Sequence, residues 1–238
     1  MRPVEARSRN SLRIAEIYRS KQGEGLLTGT ESVFVRASGC NLRCRFCDTP
    51  YASWRPEGDD LAVNEIVARV ERLGAEHVVI TGGEPMLFAE LIPLCERLRQ
   101  LGLHITIETA GTLYLPVVCD LMSISPKLAN STPGDDAGTW VRRHEETRIE
   151  WEVLRRLTRD YAFQLKFVID DPADCEEVEA IVSRLPGCRR DGVWLMPQGR
   201  TLPELRRTEA WLKPLCEQTG FRYCPRRQIE WYGPVRGT

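Results

Sequence analysis

The chain has 238 residues, 42% hydrophobic and 28% charged, with a net charge of −1. This is the composition of a globular chain long enough to bury a core, and no apolar run approaches the roughly 20 residues of a membrane span. The balanced charge gives no electrostatic basis for nucleic-acid or membrane partners.

The start, MRPVEARSRNSLR, is basic but leads into no apolar stretch, so it is not expected to be a signal peptide. LRIAEIYRS (12–20) predicts a strand, and SVFVRA (32–37) a short buried one bounded by Ser38 and Gly39. A helix is predicted over 62–73, where Ala62, Val63, Ile66, Val67, Val70 and Leu73 share a face and Glu65 pairs with Arg69, with Gly74 to end it. HVVITGGEP follows as a β-branched strand stopped by two glycines and a proline. The next helix runs over about 87–101, with Pro93 in its first turns. LHITIETAG (103–111) and CDLMSISPK (119–127) are further strands, and 130–147 reads as a long loop. A helix from about 147 to 159 precedes the strand FQLKFVID. Asp171 and Pro172 then cap and open a helix to Leu185. GVWLMPQG is the sixth strand of the series, and Thr201 with Glu204 forms a capping box for a helix to about 218, kinked at Pro214. The tail, FRYCPRRQIEWYGPVRGT, is aromatic and basic.

Alternating strands and helices argue for α/β architecture with a parallel sheet. A closed eight-fold barrel typically needs about 250 residues, so a partial, open TIM-like barrel of about six parallel strands fits better. The expected organisation is one domain: an N-terminal arm (1–31), a barrel core (32–218) and a C-terminal tail (219–238). The distinctive segments SGC, TGGEP, ETAG, SPK and MPQG all follow strand C-termini, the edge that carries ligands in α/β folds.

Nine cysteines, an odd and scattered set, argue against a disulfide framework and for a reducing cytoplasm. Cys95, Cys119, Cys175, Cys188, Cys216 and Cys224 stand alone and are read as structural. Cys40, Cys44 and Cys47 instead form C-x3-C-x2-C on a loop after a strand. Thiolates favour zinc or iron–sulfur clusters. A structural zinc site wants a fourth protein ligand. His77 and His104 begin apolar strands and read as structural, and His144 sits among arginines, where solvation is expected. Three thiolates on a four-iron cluster would leave one iron open to a reactant.

The pattern Cys40-Asn-Leu-Arg-Cys44-Arg-Phe46-Cys47, followed by Thr81-Gly-Gly-Glu-Pro85, resembles the radical S-adenosylmethionine (SAM) superfamily. That resemblance implies a [4Fe-4S] cluster on Cys40, Cys44 and Cys47 whose open iron is chelated by SAM. One electron then breaks the sulfonium into methionine and a 5′-deoxyadenosyl radical. Gly82 and Gly83 would let the backbone approach SAM closely. Glu84 would pair with a cation or order the loop, and Phe46 would pack on adenine or belong to the core. Cys47, Asp48, Ser125, Pro126, Lys127 and Gln198 fall on SAM-side loops by the same resemblance.

The arm narrows the match. Gln22-Gly-Glu-Gly25, Ser32-Val-Phe-Val-Arg36, Gly39-Cys40-Asn-Leu and Cys47-Asp-Thr49-Pro-Tyr-Ala52 together resemble the 7-carboxy-7-deazaguanine synthase family of queuosine and 7-deazapurine biosynthesis. The family contracts 6-carboxy-5,6,7,8-tetrahydropterin to 7-carboxy-7-deazaguanine with loss of ammonia, assisted by magnesium. The resemblance implies that Gln22, Gly23, Glu24 and Thr81 contact the pterin. It implies that Arg36 pairs with the pterin carboxylate, a geometry a guanidinium fork suits, and that Thr49 binds magnesium. An electron donor such as flavodoxin or ferredoxin and a homodimer are also implied. Many family members carry R-x-H in the tail, where this chain has Gln228, a side chain that cannot titrate near neutral pH. Two other readings compete: a glycyl-radical-enzyme activase of the same superfamily, and a non-catalytic metal-binding module.

Overall fold

The computed structural model describes residues 10–238, so the basic start lies outside the described residues. β1 (Ser11–Lys21) runs antiparallel to β2 (Glu31–Ala37) on one side and to β3 (Asp59–Ala62) on the other. Then come α1 (Val63–Leu73), β4 (His77–Gly82), α2 (Leu91–Gln100), β5 (His104–Thr109) and β6 (Leu121–Ile124). α3 (Thr139–Thr147), α4 (Trp151–Asp160), β7 (Phe163–Ile169) and α5 (Pro172–Ser183) follow. β8 (Val193–Pro197), α6 (Leu202–Thr219), β9 (Arg222–Tyr223) and α7 (Arg227–Tyr232) complete the described chain. The sheet order is β3-β1-β2-β4-β5-β6-β7-β8-β9, and every pairing from β2 to β9 is parallel. The six expected parallel strands are present in an open sheet, extended by the short β9. No helix among the described residues is long and apolar enough to cross a membrane.

Both predicted helix starts have their caps. Asp171 and Asp174 form a capping box for α5, and Thr201 and Glu204 one for α6. Pro93 and the residues before it set the start of α2 at Leu91, four residues later than the periodicity suggested. α6 carries Pro214 as one continuous helix. The expected loop over 130–147 is corrected. It forms two 3-10 turns and the helix α3, whose face of Trp140, Arg143 and His144 was hidden by the preceding Gly and Asp residues.

β7 shows how the strands serve core and site together. Leu165, Phe167 and Ile169 are buried and belong to the apolar core, while Lys166 and Val168 line a cavity on the other face. The period of two in a strand makes this division possible. The pairs Arg36↔Thr81, Ile80↔Ile107, Thr109↔Ile124 and Ile169↔Pro197 keep the strand C-termini level. All the post-strand loops therefore open on one rim. Phe167 is 0% exposed and sits in the middle of that core. Phe167→Ala is expected to lower unfolding free energy by about 3–5 kcal/mol, read from denaturant midpoints, with strand and helix content retained in the folded baseline.

Candidate active site

A cavity of about 450 Å³ opens at this rim, within the size range of small-molecule sites. Cys40, Cys44 and Cys47 line it together with Phe46, Asp48, Thr49, Gly82, Gly83, Ser125, Lys127 and Gln198. Gln22, Gly23, Glu24, Arg36 and Thr81 line it too. The structure thus brings into one cavity all but two of the sequence-predicted residues. The exceptions are Glu84 and Pro126.

Glu84 is 0% exposed and turned away from the cavity. Its carboxylate accepts from Met86 N–H (3.0 Å), Ala110 N–H (2.8 Å) and Thr109 Oγ1 (2.8 Å). Burial pushes its pKa up, against these donors. Glu84 therefore orders the loop and joins β4 to the end of β5. The glycines before it are required by packing of the protein itself. Gly82 has φ +148, and a Cβ there would collide with the Ala37 carbonyl; one on Gly83 would collide with the carbonyls of Gly39 and Ala52. Both glycines also line the cavity.

The cysteine loop is tied down from several sides. Arg43 Nη1 donates to the carbonyls of Cys40 (2.8 Å) and Leu42 (2.7 Å), Trp54 Nε1 donates to Cys44 O (3.0 Å), and Arg200 donates to Cys47 O. Burial pushes the thiols of Cys40 and Cys44 up to about 12 and 11. They become thiolates when a metal replaces the proton. Soft sulfur donors suit an iron–sulfur cluster. Among the described residues no three His, Cys, Asp or Glu side chains surround a single metal-ion position. Thiolates that each hold a different iron of a cluster need not converge in that way, so the loop fits the cluster.

The same cavity is lined by a chain of charges centred on the buried Lys166. Lys166 Nζ lies 2.8 Å from Glu108 Oε1 and 3.2 Å from Glu24 Oε2. Glu24 Oε1 also accepts from Gln228 Nε2 (2.6 Å) and Arg226 Nε (3.3 Å), and Glu108 Oε2 accepts from Thr81 Oγ1 (2.9 Å). Burial disfavours the Glu24 charge, but Lys166 and then Arg226 outweigh it and hold the carboxyl at about 2. Burial likewise opposes the Lys166 charge, and Glu108 and Glu24 raise its pKa regardless. Both groups are ionised at neutral pH. Arg36 Nε pairs with Glu16 Oε1 (2.7 Å) and Nη2 donates to Tyr18 Oη (3.0 Å).

Sequence reasoning missed Lys166, Glu108, Glu16, Tyr18 and Arg226. Lys166 and Glu108 carried the signal that identified Arg36, a charge inside an apolar strand. Cys224, read as purely structural, sits beneath the site and accepts from Gly25 N–H (3.2 Å). The tail also contributes. Arg236 lies 3.9 Å from the Tyr51 ring centroid and pairs with Glu16 Oε2 (3.0 Å), while Val235, Gly237 and Thr238 line the cavity. The His77 and His104 rings lie 4.4 Å apart and tilted at the opposite strand ends; their buried Nδ1 atoms lack partners among the described residues, so they are structural without being fully satisfied.

The expectation that His144 is solvated is overturned: it is 0% exposed. Its Nδ1 accepts from Arg43 N–H (3.2 Å), and Nε2 lies 2.9 Å from Ser131 Oγ. Ser131 Oγ donates to Leu128 O (2.6 Å), so Nε2 is the protonated nitrogen.

Comparison with known proteins agrees with this geometry. Residues 34–128 match the family model described as Radical SAM superfamily. A 7-carboxy-7-deazaguanine synthase of Rhodopirellula baltica is 46% identical over 239 residues, covering 99% of this chain and 93% of the relative. One from Halobacterium salinarum is 43% identical and covers 92% of this chain and 90% of the relative. The crystal structure of QueE from Escherichia coli has the same fold, with a TM-score of 0.68 at 24% identity, over 91% of this chain and 94% of that one.

Burial pushes the His144 pKa down to about 4. An unfolded histidine takes its proton near 6.5, so this residue contributes its full stability above that pH and loses it as pH falls from 6.5 toward 4. Urea midpoints measured between pH 7 and pH 4.5 should fall more steeply for the unsubstituted protein than for His144→Gln.

Proposed function

The chain belongs to the 7-carboxy-7-deazaguanine synthase family of radical SAM enzymes, and from that premise we propose how its cavity divides the work. The enzyme forms 7-carboxy-7-deazaguanine and ammonia from 6-carboxy-5,6,7,8-tetrahydropterin. It uses a [4Fe-4S] cluster and SAM, which when bound supply the one-electron cleavage and hydrogen abstraction that start the reaction. Full-length similarity to these synthases displaces the activase and the metal-binding module as readings.

One observation carries the assignment of roles: the three thiols and the Glu24–Lys166–Glu108 chain line a single cavity. Cys40, Cys44 and Cys47 would hold the cluster. Backbone at Gly82 and Gly83, with Phe46, Ser125, Lys127 and Gln198, would hold SAM. Lys127 Nζ, 2.7 Å from Ser125 Oγ, brings a positive charge to that side. Asp48 is paired with Arg226 at 2.6 Å, so its part there is to anchor the loop. Thr49, whose hydroxyl lies 3.8 Å from Cys47 Sγ, would then supply an oxygen for magnesium, with substrate oxygens and waters completing a hard-oxygen shell.

On the substrate side Glu24 is an ionised acceptor. Its carboxylate offers about four lone-pair directions, and Lys166, Arg226 and Gln228 occupy three. The fourth is free for an N–H of the pterin's aminopyrimidinone edge. Arg36 has five N–H donors, of which Glu16 and Tyr18 take two. These contacts fix the guanidinium plane and leave donors for the pterin carboxylate. Gln22, buried and bonded to Ser32 Oγ (2.9 Å), and Thr81 shape the remaining wall.

The arm 1–31, core 32–218 and tail 219–238 act as one catalytic domain, because the arm and the tail both reach the cavity. A flavodoxin or ferredoxin supplies the electron, the working assembly is a homodimer, and the setting is the reducing cytoplasm. These three readings rest on the family resemblance and the unpaired cysteines.

Reduced enzyme incubated anaerobically with the pterin, SAM and magnesium should form carboxydeazaguanine and ammonia. SAM cleavage without that product would reject the assigned substrate. In Arg36→Ala, KM for the pterin should rise about 10- to 100-fold, as loss of a charged hydrogen bond implies, while uncoupled SAM cleavage persists. Equal loss of both activities would contradict the role given to Arg36.

A further inference from the structure

We propose that Arg43, clamped from outside by helix α3, is the positioning residue that keeps the cysteine loop in its cluster-binding form and raises the cluster's reduction potential. The inference rests on the cluster reading above and concerns a residue and a helix that reading does not use.

Arg43 lies between Cys40 and Cys44 and is held at both ends. Its backbone N–H is received by the buried His144 of α3, and its Nη1 closes on the carbonyls of Cys40 and Leu42. Its guanidinium sits 4.0 Å from the centroid of the Trp140 ring, a second α3 residue, whose ring also carries Arg143 at 4.6 Å. Helix α3 is itself fixed through His144 and Ser131 to Leu128, just past the Ser125–Lys127 rim.

Charge makes the contact more than a brace. Arg45 pairs with Asp170, Arg148 with Glu145 and Glu177, and Arg226 with Glu24 and Asp48. Among the described residues the Arg43 guanidinium has only carbonyls and the Trp140 ring as partners. Its full positive charge is therefore left beside three ligands that become thiolates. Reduction adds one more negative charge to the cluster, so a fixed cation nearby stabilises the reduced state more than the oxidised one. Cluster potentials follow net charge and outer-shell hydrogen bonds in this way. The planar group matters as well: a lysine ammonium could meet the two carbonyls that Nη1 meets but has no plane to lay on the indole.

The test is anaerobic reconstitution of the full chain, an EPR-monitored redox titration, and cluster loss to a chelator followed by the visible absorbance. Arg43→Gln keeps a donor and removes the charge. Its midpoint potential should move to more negative values, and its cluster should be lost about 10-fold faster, the lower end of the cost of a missing outer-shell partner. Arg43→Lys should recover the potential but not the rate of loss. Trp140→Leu, which keeps the loop sequence intact, should also lose the cluster faster. A folded Arg43→Gln with unchanged potential and chelation rate would overturn the proposal, as would Arg43→Lys titrating with Arg43→Gln. Should Arg43→Gln not fold, an unchanged chelation rate in Trp140→Leu would overturn it. Failure of the unsubstituted protein to take up a cluster would instead strike the family reading.

Discussion

The ammonium of Lys166, buried between Glu24 and Glu108, is the interaction on which the site depends. A lone charge in an interior of low polarity would lose its proton or drive the strand to rearrange. Here two carboxylates keep it ionised, and it holds Glu24 ionised in return. Because removing one member leaves an uncompensated buried charge, the group behaves as a unit. It is also the point where distant pieces of chain meet. Glu24 comes from the turn after β1, Glu108 from β5, Lys166 from β7, and Arg226 and Gln228 from the tail.

Arg226 extends the unit across the cavity. It reaches Glu24 on the substrate side, Asp48 on the cysteine loop, and the carbonyl of Gly199 (2.7 Å) beyond β8. A single guanidinium thus sets the spacing between the wall assigned to the pterin and the loop that carries the thiols. Positioning of this kind is the protein's contribution when the cofactors perform the bond breaking. Gln228 completes the same wall. Its amide N–H meets Glu24 with no need for a titrating ring, and Gly23 leaves the space its Oε1 occupies.

Much of this was legible in the sequence, for physical reasons. The parallel strands announced themselves as β-branched runs ended by Gly or Pro, and the caps at Asp171 and Thr201 are local chemistry that does not need the rest of the fold. The thiols and the TGGEP turn were legible because spacing and strand context constrain them. What stayed hidden depends on contacts between segments far apart in sequence. His144 looked solvated among arginines, and only the tertiary fold buries it against Arg43. From the sequence Glu84 either pairs with a cation or orders the loop, and two donors at the end of β5 with a third from Met86 decide for the second. Helix α3 was masked by the Gly and Asp before it.

The most direct measurement is a double-mutant cycle on binding of 6-carboxy-5,6,7,8-tetrahydropterin by anaerobic calorimetry, using Lys166→Met, Glu24→Gln and the pair. Each single change should weaken binding, and the pair should be little worse than the weaker single, a coupling of about 1–3 kcal/mol. Losses that add to within about 0.5 kcal/mol would mean that Lys166 does not hold Glu24 for the substrate.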